Sequence, residues 1–349
     1  MRLAAIPSTA GRGFQSQRAA LDTVALLAGS SGHESTAPLH AAHLPGLAQS
    51  LLGDGTADGP KAPYWAWQAH TPEWHLLQAL LRQSDGATAA GQLLHVVPCL
   101  ARLLDPKQEP VLRGTALAML DSLLATPTFC AAPELNDWAE LIFAAMLVPN
   151  LVWRSGRAAE HVRGAAMSCL ARLVPLPALT AEQLEAQLEE SLPVIYTSLD
   201  DDSVDTRRLG CAVIDALLVK LGPKRLEHER MRKLYPELLK RLDDASDEVR
   251  TRACAPLASF FRCMNYSAIW TEAHNFDKTN YQYLLRGLLV HLDDPSPEIQ
   301  SAIASVFETG MHVDPLVFAQ EVVAVRERHR SPKLCDQLVA AARDLGQLV

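Results

Sequence analysis

The stretch Pro236-Glu-Leu-Leu-Lys-Arg-Leu-Asp243-Asp-Ala-Ser-Asp-Glu-Val-Arg250-Thr-Arg-Ala-Cys254 decides the fold. It reads as two helices separated by one tight turn. Leu234, Leu238, Leu239 and Leu242 recur at spacings of three and four, the period of one apolar helix face. Asp243-Asp-Ala-Ser246 interrupts that face, and Ser246 is placed to cap the helix that follows. Asp247 and Glu248 then sit in the first turn of the second helix, where negative charge favours the helix dipole.

The same spacing returns elsewhere. Pro98-Cys-Leu-Ala-Arg-Leu-Leu-Asp105 and Pro193-Val-Ile-Tyr-Thr-Ser-Leu-Asp200 share the pattern Pro-x5-Leu-Asp, and Arg286 to Asp293 keeps all of it except the proline. Arg207 and Arg250 each follow their aspartate by seven residues, Arg113 follows by eight, and Gln300 takes the place in the fourth copy. A degenerate unit runs from Leu147 to Leu151, through a longer loop, to His161-Val-Arg163. Positions 113, 163, 207, 250 and 300 are 50, 44, 43 and 50 residues apart. HEAT and armadillo repeats have periods of about 40–47 residues, so small insertions account for the scatter.

This spacing predicts an all-α fold, a right-handed α-solenoid of HEAT-type helix pairs forming an armadillo-like superhelix. Residues 1–86 are expected to hold irregular N-terminal repeats, with a helix near Gln17–Ala28, helices near 40–52 and 72–83, and a flexible Gly/Pro linker at 53–63. Regular repeats are expected over 87–310, in units near 87–126, 134–174, 181–221, 226–264 and 277–310. A capping helix pair is expected at 311–349. Pro193 and Pro236 fall inside or at the start of first helices and would bend them if internal.

An electrostatic ladder is expected to set the stacking register: Asp105, Asp200, Asp243 and Asp293 facing Arg113, Arg163, Arg207 and Arg250 of their own or the neighbouring repeat. Surface pairs of this kind contribute only about 0–1 kcal/mol each. Stability is expected from the leucine faces, because no helix pair buries its apolar face alone. Cys211 and Cys254 lie four residues after their arginines, with Ala304 at the matching place, and read as small buried spacers.

Composition narrows the function. The net charge of −8 argues against nucleic acid, whose recognition rests on neutralising phosphates. The basic stretches around Lys224–Lys233 and Arg326–Lys333 are interleaved with glutamates, as solvated helix faces are. No apolar run approaches the ~20 residues that cross a bilayer. Seven scattered cysteines with no Cys-x-x-Cys suggest neither disulfides nor a zinc site, and a reducing compartment is expected. The arginines before Asp22 give a faint transit-peptide character.

Catalytic motifs are not evident. Gly53-x-Gly55-x-x-x-Gly59 lacks the spacing of a phosphate loop and reads as linker. His40 and His43 stand three apart in a histidine-rich region, but no further ligand has metal-site spacing. No catalytic residue, cofactor or metal is therefore assigned, and an enzyme using the 33–75 region is the remote alternative. Tyr64, Trp65, Trp67 and Trp74 read as repeat packing or as a partner patch, and Asn275–Tyr283 is a second aromatic place. The second helices are the expected binding face, with no partner-binding residue singled out.

Two stretches are more particular: Val148-Pro-Asn-Leu-Val-Trp-Arg-Ser-Gly-Arg-Ala-Ala-Glu-His-Val-Arg-Gly-Ala-Ala166, and Asn275-Phe-Asp-Lys-Thr-Asn-Tyr through Asp294-Pro-Ser-Pro-Glu-Ile-Gln300. Together they resemble the C-terminal half of the HEAT-repeat dynein axonemal assembly factors of ciliated eukaryotes, from about residue 85 onward. That family's proteins are longer, so a C-terminal fragment or short isoform is expected. The resemblance implies a non-catalytic, cytoplasmic scaffold for preassembly of axonemal dynein arms in cilium biogenesis. Dynein heavy and intermediate chains and chaperones would be its partners. The alternative is a HEAT adaptor of another class, a nuclear-transport carrier or a phosphatase scaffold.

Overall fold

The computed structural model describes residues 22–52, 64–226, 228–265 and 278–347. The linker expected at 53–63, the basic stretch before residue 22 and Asn275–Asp277 lie outside them. Every regular element among the described residues is helical. The chain forms two compact units, Met1–Gln183 and Leu184–Val349.

In the first unit, α1 (Ala37–Leu52) and α2 (Pro72–Gln83) form one pair, close to the bounds expected from the apolar period. The next pair is α3 (Leu93–Leu103) and α4 (Pro110–Leu124), and α4 stacks on α5 (Arg157–Leu173). Leu93, Val96, Val97, Leu100 and Leu103 of α3 are all buried, one face of a 3.6-residue helix. Trp67 and Trp74 are core residues, 2% and 0% exposed, and the Trp74 indole N–H donates to Thr115 Oγ1 of α4 (3.1 Å).

The second unit repeats the arrangement with more regularity. Its first helices are α6 (Ala181–Thr197), α8 (His228–Arg241) and α10 (Lys278–His291). Its second helices are α7 (Val204–Leu221), α9 (Asp247–Asn265) and α11 (Pro297–Gly310). α7 packs on α9 and α9 on α11, while α8 packs on α10 and α10 on α12 (Pro315–Val325). The last pair, α12 and α13 (Pro332–Gln347), closes against itself. Pro193 and Pro236 are both internal to their helices.

The first helix expected in the 134–174 unit is the element that differs. It is broken into Ala139–Leu141, a π-turn over Ile142–Leu147 and a 3-10 turn over Val148–Leu151. Pro149 explains the break, because it has no N–H to offer the Ala145 carbonyl and its ring clashes there. A widened π-turn absorbs the misfit. Asn150 then supplies with its side chain a bond the backbone no longer makes, Nδ2 donating to the Met146 carbonyl at 2.7 Å.

Close approach within a repeat is set by Gly210 in α7. A Cβ there would lie 2.6 Å from Ser198 Oγ, whose hydroxyl is already held by the Ile195 carbonyl (2.5 Å). In an exposed helix Gly→Ala would gain up to about 1 kcal/mol of propensity. Here the clash outweighs it, and Gly210→Ala is expected to destabilise the chain by about 1–3 kcal/mol in urea unfolding followed by circular dichroism.

Candidate functional site

The turns between first and second helices carry the chain's most concentrated polar chemistry. In the second unit the turns at 200–203, 243–246 and 293–296 open on consecutive aspartates, three in the first and two in the others, and the first and second of each have different jobs. The second one builds the turn: Oδ1 of Asp201, Asp244 and Asp294 accepts from the backbone N–H of Ser203, Ser246 and Ser296, at 3.0, 3.0 and 2.8 Å. This Asx geometry shares the capping expected of serine alone. Ser203 does cap α7 with its side chain, whereas Ser296 makes no side-chain cap on α11.

The repeat arginine then ties that turn to its neighbour. Arg207 Nη1 donates to the Asp201 carbonyl in its own turn (2.9 Å), while Nε and Nη2 make a fork to Asp244 Oδ2 and Oδ1 of the next (2.7 and 2.9 Å). Arg250 repeats the pattern one unit on, donating to the Asp244 carbonyl (3.1 Å) and lying 3.7 Å from Asp294 Oδ2. Gln300, in the same place, reaches only the Leu292 carbonyl of its own turn (2.9 Å).

The first aspartates form a separate row. Asp200 pairs with Arg241, Asp243 lies 3.8 Å from His291 Nε2, and Asp293 lies 3.1 Å from His329 Nδ1. Each partner belongs to the following repeat. The expected pairing of Asp243 and Asp293 with the repeat arginines is thus corrected by one residue: the arginine partners are Asp244 and Asp294. The cause is burial. The Asp244 side chain is 3% exposed and that of Asp243 is 80% exposed, so the turn holds the inner carboxylate against Arg207 and leaves the outer one at the surface.

In the first unit the same function is done with different groups. Arg113 Nη1 donates to Asn150 Oδ1 (2.9 Å), and Asn150 Nδ2 also reaches the Leu104 carbonyl (2.8 Å). Both residues are buried. Asp105 is not Arg113's hydrogen-bond acceptor; its Oδ1 accepts from Lys107 N–H at 2.8 Å, the role of a second aspartate. Arg163 donates to the Arg154 carbonyl (2.7 Å) and covers the Trp153 ring at 5.9 Å. The expected set omitted Asn150, Asp244, Asp294 and Arg241. The doubled Asp-Asp, with Ser two residues after the second, is the sequence signal that distinguishes the inner from the outer aspartate.

A further polar contact recurs between second helices within each unit. Asp121 accepts from Ser168 Oγ (2.7 Å) and Arg172 Nε (2.9 Å), and Asp215 accepts from Ser259 Oγ (2.6 Å). Beside it Cys169 and Cys263 direct their thiols at the Leu117 and Leu218 carbonyls. Cys211 and Cys254 are buried, and burial pushes both thiols up to about 12. His40 is buried too, its Nδ1 2.9 Å from the Gln83 carbonyl, while His43 is exposed. The aromatic places divide: Tyr281 is buried and donates to the Gly310 carbonyl (2.8 Å), whereas Trp65 and Tyr283 are 40% and 62% exposed.

No protein-family model matches the chain. Among characterised proteins it is 37% identical over 281 residues to human (Homo sapiens) dynein axonemal assembly factor 5. The Xenopus laevis protein of that name is 37% identical over 288 residues, and the Mus musculus one 34% over 280. Over that stretch the chain is similar to dynein axonemal assembly factor 5. The matches cover 79–80% of this chain but 32–33% of each relative, so it spans about a third of the length of dynein axonemal assembly factor 5. Solved structures agree on the fold. A designed armadillo repeat protein in complex with a (KR)4 peptide superposes with a TM-score of 0.50 at 21% identity, covering 76% of this chain and 99% of that one. The Kap95:Nup1 complex gives 0.52 at 13%, covering 99% of this chain and 44% of that one. The chain has the α-solenoid repeat fold.

The two rows of aspartates can be separated by substitution. Asp244→Ala strands Arg207 and is expected to cost about 3 kcal/mol, against under about 0.5 kcal/mol for Asp243→Ala, in chemical denaturation. The Arg207 hydrogen bonds hold the Asp244 carboxyl below its usual range. Its contribution is therefore complete above the ordinary Asp value of about 3.9 and is lost as pH falls below it. Melting temperature should drop on acidification through that range, and drop less in Asp244→Asn.

Proposed function

We propose that the chain is a non-catalytic, protein-binding scaffold acting in the cytoplasmic preassembly of axonemal dynein arms. The observation that carries this is its 37% identity, over 80% of its length, to a human protein named as a dynein axonemal assembly factor. The physical chemistry supports it. Arg113, Asn150, Arg207 and Asp244 bond to one another in pairs and to turn carbonyls. Groups so engaged hold a register and are poorly placed to exchange protons with a substrate.

Repeat stacks of this kind offer extended surfaces to other chains. Axonemal dynein heavy and intermediate chains and the chaperones that fold them are the partners this reading names. Residues 87–310 would supply the regular binding surface and 311–349 its cap. Among the described residues no helix is long and apolar enough to cross a membrane. With the chain as bait, proximity labelling and pull-down from differentiating ciliated cells should return axonemal dynein chains together with chaperones. Recovery of transport cargo or of a phosphatase catalytic subunit in their place would sink the dynein reading and leave the fold untouched.

A further inference from the structure

The loop at 152–157 leaves the π-turn and 3-10 region and enters α5 through Gly156, whose φ of +100° turns the chain sharply. It presents two large apolar side chains to solvent: Val152 is 51% exposed and Trp153 56%. The loop is tied in place. Arg163 Nη1 holds the Arg154 carbonyl (2.7 Å) while Arg154 Nη1 reaches the Pro106 carbonyl of the preceding turn (3.2 Å). Arg163 also covers one face of the Trp153 ring, 5.9 Å from its centroid. A tryptophan fixed in this way gives up little conformational entropy on being covered, which is what makes Trp and Arg frequent interface anchors.

The charge around it is unlike that of the rest of the chain. Residues 101–113 and 152–163 are joined by the Arg154–Pro106 bond; with Arg113 and Arg163 buried, Arg102, Lys107, Arg154 and Arg157 are the bases that face solvent there, against Asp105, Glu109 and Glu160, although the chain carries a net −8. Arg154 and Arg157 are exposed. The field of Arg154 reaches into the turn and, after burial itself, lowers the Arg113 pKa. Cations crowded beside an exposed aromatic ring favour one kind of occupant.

We propose that the 152–157 loop is a docking edge for an acidic segment of a partner protein, one carrying an apolar or aromatic residue that seats on Trp153 and Val152. This deepens the scaffold reading and rests on it. Carboxylates of the incoming segment meet Arg154 and Arg157, which steers encounter and fixes polarity. The apolar residue covers the exposed part of the Trp153 ring.

The test titrates the purified full chain with two fluorescein-labelled peptides, one alternating Glu and Leu and the other Lys and Leu, read by anisotropy. The Glu/Leu peptide is expected to bind and to weaken steeply with salt. Binding should fall about tenfold in Trp153→Ala and about a hundredfold in Arg154→Glu/Arg157→Glu. Arg208→Glu in the second unit should leave it unchanged. All three residues of the loop variants are exposed, but Arg154 holds the Pro106 carbonyl and Trp153 carries Arg163 on its ring, so a small drop in melting temperature is expected and measured alongside, with binding read well below it. Equal binding of the Lys/Leu peptide, or parental affinity in both loop variants, would overturn the proposal. Equally tight capture of a single-stranded oligonucleotide would hand the edge to nucleic acid and overturn it too. Failure of the Glu/Leu peptide with a chain that still retrieves dynein chains would remove this edge and leave the scaffold reading standing.

Discussion

A repeat stack has no single core to lock its parts in place, so something must fix how far each helix pair is turned against the next. Leucine faces are apolar and forgiving; they reward contact without dictating register. Here register is dictated by a guanidinium with two acceptors. Arg207 bonds simultaneously to the Asp201 carbonyl of its own turn and to the Asp244 carboxylate of the next. Both must be in reach for the side chain to be satisfied, and a buried donor left unmet costs about 1–3 kcal/mol. The pair adds little net stability beyond a well-packed apolar equivalent, but it penalises misaligned stacking.

The same constraint explains the irregular repeat. With Pro149 breaking its first helix, no Asp-Asp turn is available at the position that Arg113 needs. Asn150 fills it, and unlike an aspartate it also donates, to the Leu104 and Met146 carbonyls. An amide can knit three segments where a carboxylate could hold only donors. The π-turn and the Asn150 node are therefore one adaptation.

Most of the fold was legible from periodicity. The leucine spacing, the recurrent Leu-Asp and the basic position after it place the helix pairs, and α1 and α2 fall near their expected bounds. Three things were hidden. Pro149 was visible, but whether a proline kinks a helix, bulges it or ends it depends on what its neighbours can donate. Pro193 and Pro236 are accommodated inside their helices, whereas Pro149 is not. The choice between adjacent aspartates was hidden for a similar reason. Asp243 and Asp244 have the same chemistry and differ only in which way the turn faces them, a tertiary fact. The resemblance to dynein assembly factors could be read from the residues around Asn150 and Asp294. The exposure of Trp153 could not, since an aromatic in a loop is as easily buried, as Trp67 is.

The outer row of aspartates changes cation along the second unit, from Arg241 to His291 to His329. Arginine keeps its charge in any cellular compartment, whereas histidine is poised to lose its own, and burial pushes His291 further toward the neutral form. The outer clamp at Asp200 therefore holds at any cellular pH, whereas the one at Asp243 tightens only on acidification: one joint of the stack is permanently pinned and its neighbour is adjustable.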